Sequence, residues 1–212
     1  SAWNGHVNFL VWLDSNTIVF AGESGFINCY NLRTKTMIWS KILEIKIKKL
    51  VAGENALYLL ADDKSNLINN TKVCILNASN GEFINKIDGD NLAILTKNSF
   101  FLPTDIVWLP NEKNLIVTAM SGSKKHSAYM LDSVASKLVG KFKVDYFLTK
   151  ILPSQNDSHI LTLPHPDNIC IWNLKESREI FRLGKKVENS DTISISIDAP
   201  FISNALFNGR ET

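Results

Sequence analysis

Residues 26–39 read Phe26-Ile27-Asn28-Cys29-Tyr30-Asn31-Leu32-Arg33-Thr34-Lys35-Thr36-Met37-Ile38-Trp39. A short apolar run closes at Asn31, a polar stretch Arg33-Thr34-Lys35 follows, and a second apolar run opens at Met37. Apolar runs of this length broken by Asn, Thr and Lys read as strand, turn, strand. The pattern returns three times. Val73-Cys74-Ile75-Leu76 ends at Asn77, Ala128-Tyr129-Met130-Leu131 at Asp132, and Ile169-Cys170-Ile171-Trp172 at Asn173. A β-branched residue stands seven positions after each Asn or Asp: Ile38, Ile84, Val139 and Ile180. The intervals between successive motifs are 46, 55 and 41 residues.

Further strands flank the motif in every period. Phe9 to Leu13 and Thr17 to Ala21 are separated by Asp14-Ser15-Asn16, and Gly22-Glu23-Ser24-Gly25 turns into the quoted stretch. The second period opens on Leu43, Ile45 and Ile47 alternating with Glu44, Lys46 and Lys48, a spacing of two that only a half-buried strand satisfies. Turns are expected at Gly53-Glu54-Asn55, Asn80-Gly81, Pro110 to Asn114, Pro153 to Asp157 and Pro164 to Asn168. A period of this length built only of strands is the mark of an all-β β-propeller, one four-stranded antiparallel blade per period. Expected blades cover 5–43, 44–89, 105–144 and 146–186, and 191–212 supply part of a fifth. That part holds the alternating strand Asp191 to Asp198 and the run Ala205-Leu206-Phe207. Four blades and a part are too few to close a seven-bladed ring of such units. The propeller is therefore expected to be incomplete, finished by a partner, a second copy or further chain, with Asp191 to Asp198 as the closing element.

The chain of 212 residues is 45% hydrophobic and 21% charged, with a net charge of +2. This balance gives no electrostatic case for nucleic acid, which asks for a strongly basic face. No apolar run approaches the ~18 residues of a membrane-spanning helix, and Ser1-Ala2-Trp3-Asn4-Gly5-His6 lacks the basic and apolar regions of a signal peptide. Cys29, Cys74 and Cys170 each fall inside a repeat's apolar run, which predicts buried, unpaired thiols in an intracellular protein of cytoplasm or nucleus. The glycosylation-type triplets at Asn69, Asn77 and Asn156 are read as chance matches.

The repeated units resemble divergent WD40 repeats. Gly5-His6 matches the Gly-His pair that opens such a repeat, with His6 in a structural role. Ile169-Cys170-Ile171-Trp172-Asn173-Leu174 resembles the third-strand ending, normally Trp-Asp. Tyr30-Asn31 is a degenerate version, and Leu76-Asn77 and Leu131-Asp132 keep the position alone. The family's network of His, hydroxyl, Asp and Trp is complete in no unit, so apolar packing between blades is expected to replace it. A rival resemblance is to eight-bladed propellers of the tryptophan-docking type, carried by Asn31 to Trp39 and by Asn77-Ala78-Ser79-Asn80-Gly81-Glu82.

No residue pattern calls for catalysis, a cofactor or a metal. His6, His126, His159 and His165 lie in different units without Cys or carboxylate at ligand spacing. Asp62-Asp63 and Asp88-Gly89-Asp90 are close acidic pairs, as a propeller glycosidase would need, but they sit among turn-forming residues. Trp12, Trp108 and Trp172 hold repeat-register strand positions and are expected in the core. The insertions 62–71 and 121–127 interrupt the repeat with polar residues, and irregular loops on a rigid scaffold are where recognition concentrates. Lys64, Asn66, Asn69, Lys124, Lys125 and His126 are the expected partner-binding residues. The WD40-like resemblance implies a non-catalytic scaffold for protein–protein interaction in an intracellular multisubunit complex. The alternatives are an RNA-associated subunit of a ribosome-assembly or tRNA-modification complex, for which the lysines at 46, 48, 49, 124, 125, 185 and 186 would converge, and a propeller hydrolase.

Overall fold

A computed structural model describes residues 6–64, 71–88, 90–91, 101–121, 126–135, 137–144, 148–154, 156–164 and 169–183. The expected elements Asp191 to Asp198 and Ala205 to Phe207 lie outside the described residues. The chain is all-β, and its strands form four four-stranded antiparallel sheets, each a simple meander. The first is β1 (Phe9–Trp12), β2 (Thr17–Ala21), β3 (Phe26–Asn31) and β4 (Thr36–Ile42). The second is β5 (Ile45–Ala52), β6 (Ala56–Asp63), β7 (Thr71–Asn77) and β8 (Phe83–Ile87). The third is β9 (Phe101–Leu109), β10 (Asn114–Ser121), β11 (His126–Asp132) and β12 (Leu138–Val144). The fourth is β13 (Leu148–Pro153), β14 (His159–Pro164), β15 (Ile169–Asn173) and β16 (Arg178–Leu183). Two compact units divide between Phe147 and Leu148, so the first three sheets belong to one unit and the fourth to the other.

The repeated Asn or Asp is a turn-forming device. Asn31 Oδ1 accepts the backbone N–H groups of Arg33 and Thr34, both at 2.9 Å. Asn77 Oδ1 accepts from Ser79 N at 2.8 Å, Asp132 Oδ1 from Lys137 N at 3.2 Å, and Asn173 Oδ1 from Glu176 N at 3.0 Å. A short polar side chain that bonds its own following backbone stabilises a tight turn without a partner strand. Four residues on, the chain takes a left-handed conformation, with φ of 58° at Lys35, 71° at Gly81 and 52° at Ser177.

The β-branched residue seven positions on has its own role. In each sheet the ladder between the third and fourth strands slips by one residue just before the motif, between Cys29/Tyr30, Ile75/Leu76, Met130/Leu131 and Ile171/Trp172. The extra residue on the fourth strand is Ile38, Ile84, Val139 or Ile180, so all four occupy a β-bulge. Ile38, Ile84 and Val139 are exposed. A β-branched side chain stiffens the backbone at this irregular position without being buried.

Alternation divides each sheet into two faces. In the first sheet Val19, Ala21, Ile27, Cys29 and Trp39 pack against Leu57, Leu59, Ala61, Cys74 and Leu76 of the second. The other face of the second sheet, with Tyr58, Leu60, Val73 and Ile75, packs against Trp108, Leu115, Val117, Tyr129 and Leu131 of the third. Each fully buried aliphatic or aromatic side chain contributes about 1.5–3 kcal/mol, so sheet-on-sheet stacking dominates the stability of this unit. Polar side chains cross both junctions to the turns that follow the motif. Trp39 Nε1 donates to Ala78 O at 3.0 Å, and Tyr58 Oη donates to Ser133 O at 2.9 Å. Asn85, eight residues after its motif as Trp39 is after Asn31, donates to Val134 O at 2.7 Å. The Trp39 indole also lies against Gly81, where an added Cβ would come within 2.8 Å of it.

Several expectations need correction. Trp108 and Trp172 are buried, but Trp12 is 57% exposed. Trp12 and Trp108 occupy the same register position, opposite Ile18–Tyr30 and Leu115–Leu131 respectively. Trp108 stacks on Tyr58 of the second sheet at a centroid distance of 5.2 Å. His6 is exposed, so it is no part of a buried network. Residues 101–104 belong to β9, with Pro103 on an edge strand beside a bulge, where a missing N–H is tolerated.

Candidate interaction surface

The connections between second and third strands emerge on one rim of the three-sheet unit. In the first sheet this connection is the tight turn Gly22 to Gly25, with Gly25 N donating to Gly22 O at 3.0 Å. In the second it runs from Lys64 to 70, and in the third it spans 122–125. Lys64 is exposed and donates through Nζ to Ser24 O at 2.6 Å, bridging the first two sheets. Asn66, Asn69, Lys124 and Lys125 lie outside the described residues. His126 is a correction: it opens β11 and is only 1% exposed, since strand pairing with Met120 and Val144 carries the sheet further than the polar sequence implied. Burial holds its imidazole below the ordinary value, because the charged form loses hydration there. It therefore shapes the base of the loop and presents no surface to a partner.

The same rim carries a web of ion pairs. Lys46 meets Glu23 at 3.4 Å, Lys48 meets Asp62 at 2.8 Å, Lys72 meets Asp63 at 2.7 Å, and Lys49 meets Asp105 across the second and third sheets. Thr71 Oγ1 donates to Asp62 Oδ1 at 2.7 Å. Asp62 and Asp63 are strand residues, not turn residues as expected, and neighbours on a strand point to opposite faces. They bind separate lysines and do not form a convergent acid pair. Lys46, Lys48 and Lys49 are each held by a carboxylate, so a phosphate would have to displace an existing partner at every one. Lys48–Asp62 is exposed and worth little by itself. Lys72, buried beside Asp63, depends on its partner more.

At the opposite rim a groove of about 690 Å³ opens between the first and second sheets, beside Asp14, Ile38, Glu54, Asn55 and Ser79. Its carboxylates are committed. Asp14 accepts from Asn16 N at 2.7 Å, and this hydrogen bond, with one from Thr17, holds its carboxyl below the usual range. Glu54 pairs with Lys113 at 2.8 Å. Among the described residues no three His, Cys, Asp or Glu side chains gather as a ligand set for a metal, and no described helix is long and apolar enough to cross a membrane.

The fourth sheet, taken by itself, has an indole anchor. Trp172 Nε1 donates to Thr162 Oγ1 at 3.0 Å, with both residues buried. This is one link, indole to hydroxyl, of the network that the WD40 resemblance implied. Trp39 on the Asn80-Gly81 turn is a docking contact of the kind the rival resemblance implied. Sequence reading marked both tryptophans but not their partners, which are set by cross-strand and cross-sheet register.

No family model matches the chain, and no curated protein matches it. A solved structure, dihydro-heme d1 dehydrogenase NirN in complex with DHE, is similar to it over 86% of this chain, at 12% identity and a TM-score of 0.65. The match spans 37% of that longer chain. Likeness at this identity establishes the fold, a β-propeller, here with about four blades.

Proposed function

We propose that this chain is a non-catalytic, WD40-like propeller scaffold that mediates protein–protein contacts in an intracellular multisubunit complex, in cytoplasm or nucleus. The observation that supports the reading is that the second-to-third-strand connection of the second sheet, 64–70, is longer than the four-residue connections of the other sheets and starts beside the turn of the first sheet, on which Lys64 donates to Ser24 O. Three stacked sheets form the rigid support, and the connections vary on it while the turns after each motif stay uniform. In this reading Lys64, Asn66, Asn69, Lys124 and Lys125 contact the partner, and His126 anchors the loop from below. The recognised surface is polar protein, because the neighbouring lysines already neutralise their own carboxylates. That neutralisation lends no support to the RNA-associated alternative, and the separate engagement of Asp62 and Asp63 lends none to a hydrolase.

The test shortens 64–70 to a four-residue glycine turn like Gly22 to Gly25 and replaces the four residues 122–125 with Gly and Ser at unchanged length. Affinity capture with mass spectrometry then compares the variant with wild type at matched melting temperature. Loss of the same protein subunits from both single-loop variants is the expected result. Recovery of an unchanged set of subunits by the protein altered at both connections refutes the reading.

A further inference from the structure

The turn between β7 and β8 carries Asn80-Gly81, a dipeptide with chemistry of its own. A glycine has no Cβ to hinder its backbone nitrogen, so the nitrogen reaches the preceding carboxamide and closes a succinimide more readily than in other asparagine pairs. The other three motif turns hold Thr34-Lys35, Ala135-Ser136 and Glu176-Ser177 at the same positions, and none of these contains asparagine. In the folded chain both reacting groups are engaged. Gly81 N donates to Asn77 O at 2.8 Å, so the proton that must leave before attack is held. Asn80 Oδ1 accepts from Glu82 N at 2.9 Å, and Nδ2 donates to Glu82 Oε2 at 3.1 Å. Gly81 is buried although Asn80 and Glu82 on either side of it are exposed. The Trp39 indole lies over it, with three atoms that would come within 2.8 to 3.1 Å of an added Cβ. The same indole donates to Ala78 O at 3.0 Å, so it clamps the turn on both sides of Asn80.

We infer that Asn80-Gly81 is a self-modification site, held unreactive by the docked Trp39 and released when the indole leaves the turn. Such release is a local opening and does not require the whole unit to unfold. Once the turn opens, Gly81 N gives its proton to solvent and bonds to Asn80 Cγ. The Cγ–Nδ2 bond breaks, and Nδ2 takes a proton from water and leaves as ammonia. One water then opens the succinimide at either of its C–N bonds. The products are aspartate or isoaspartate at this position, with no change of oxidation state. Isoaspartate carries the main chain through Cγ and is one carbon longer. Gly81 then cannot return beneath the indole, and the bond from Asn77 N to Glu82 O at 2.7 Å, which spans the turn, loses its register. Either product also adds a negative charge beside Glu82. A transient undocking of the first sheet from this turn is thereby made permanent.

Peptide mapping of the 212-residue protein, with electron-based fragmentation to separate aspartate from isoaspartate, follows this position during incubation at mildly alkaline pH. Conversion in urea sets the rate of the open turn. Native wild type is expected to convert at least about tenfold more slowly, an opening free energy of about 1.4 kcal/mol or more. Trp39→Ala, shown by circular dichroism to be folded, is expected to recover most of the urea rate. Trp39→Phe keeps a ring over Gly81 and loses the bond to Ala78 O. It is expected to fall between the two and is the second variant should Trp39→Ala misfold. Trp172→Ala, at the buried indole of the other compact unit, is the stability control and leaves the native rate unchanged. Converted wild type is expected to show greater iodide quenching of indole fluorescence. Asn80→Gln, whose longer side chain cannot form the five-membered ring, is expected to keep its quenching constant over the same incubation. Native conversion as fast as in urea, no acceleration in either Trp39 variant, equal acceleration in Trp172→Ala, or unchanged quenching in the converted protein overturns the proposal.

Discussion

The contact of Trp39 with Gly81 joins the first sheet to the second, and its strength can be isolated. Gly81 has φ +71°, and a Cβ built on it would lie 2.8 to 3.1 Å from three atoms of the Trp39 indole. Gly81→Ala therefore has two costs. The left-handed backbone costs about 1–2 kcal/mol for a residue with a Cβ. Displacing the indole adds about 1–3 kcal/mol of overpacking, because Trp39 is buried and tethered to Ala78 O. Trp39→Ala removes a buried indole and leaves a cavity between the sheets, at about 3–5 kcal/mol. In the double variant the clash has no target, and only the backbone cost of Gly81→Ala remains. The two changes should be non-additive by about 1–3 kcal/mol, with the double variant more stable than the sum of the singles implies. Urea unfolding, followed by far-ultraviolet circular dichroism with the midpoint and slope fitted separately, measures the cycle. Additivity within about 0.5 kcal/mol would show that the indole does not rest on Gly81 and would remove the docking contact from the account.

Trp172→Ala is expected to destabilise by about 3–5 kcal/mol through its core cavity and the stranded Thr162 hydroxyl; a melting temperature within about 2 °C of wild type refutes this. Asn28 is fully buried, with no described hydrogen-bond partner for its amide, while its register equivalents are Cys74 and Cys170. Asn28→Val is expected to stabilise by about 1–3 kcal/mol, and a lower urea midpoint counts against it. His126 titrates below its ordinary value in the folded chain, so the unfolded chain takes up the proton first. The stability it contributes is full above about pH 6.5 and is lost as pH falls through that value toward the folded one. Wild type should lose more stability than His126→Gln between about pH 7.5 and pH 5; parallel losses in thermal melts exclude the effect. The three cysteines are free and buried, and burial pushes Cys74 and Cys170 up to about 11 and raises Cys29. Iodoacetamide at neutral pH should label none of them in the folded protein and all three in urea; a disulfide in non-reducing mass analysis, or rapid native labelling, contradicts this.

The repeat was readable because its elements are local. An Asn that bonds the backbone two or three residues on, a left-handed fourth residue and a bulged β-branched seventh all act within one hairpin, so their spacing is fixed in the chain itself. Strand alternation is local too, and the four meander sheets follow from it. Of the candidate site, the longer connection at 64–70 was legible for the same reason; the expected insertion 121–127 is a four-residue connection, 122–125, no longer than Gly22 to Gly25, because the paired strands extend into it. The sequence was silent wherever the deciding partner sits on another sheet. Trp12 and Trp108 are the same residue type in the same register, yet Trp108 is covered by Tyr58 of the second sheet and Trp12 is exposed, a difference that sheet packing makes and strand pattern does not. His126 reads as loop by its polar neighbours and is buried because its cross-strand partners extend the ladder past them. Asp62 and Asp63 read as turn chemistry, yet both are strand residues paired with lysines, since a lysine on one strand finds its carboxylate through register and sheet packing. Hairpin geometry depends on residues a few positions apart and is written into the chain. Burial and charge pairing depend on which faces meet, which tertiary structure alone decides.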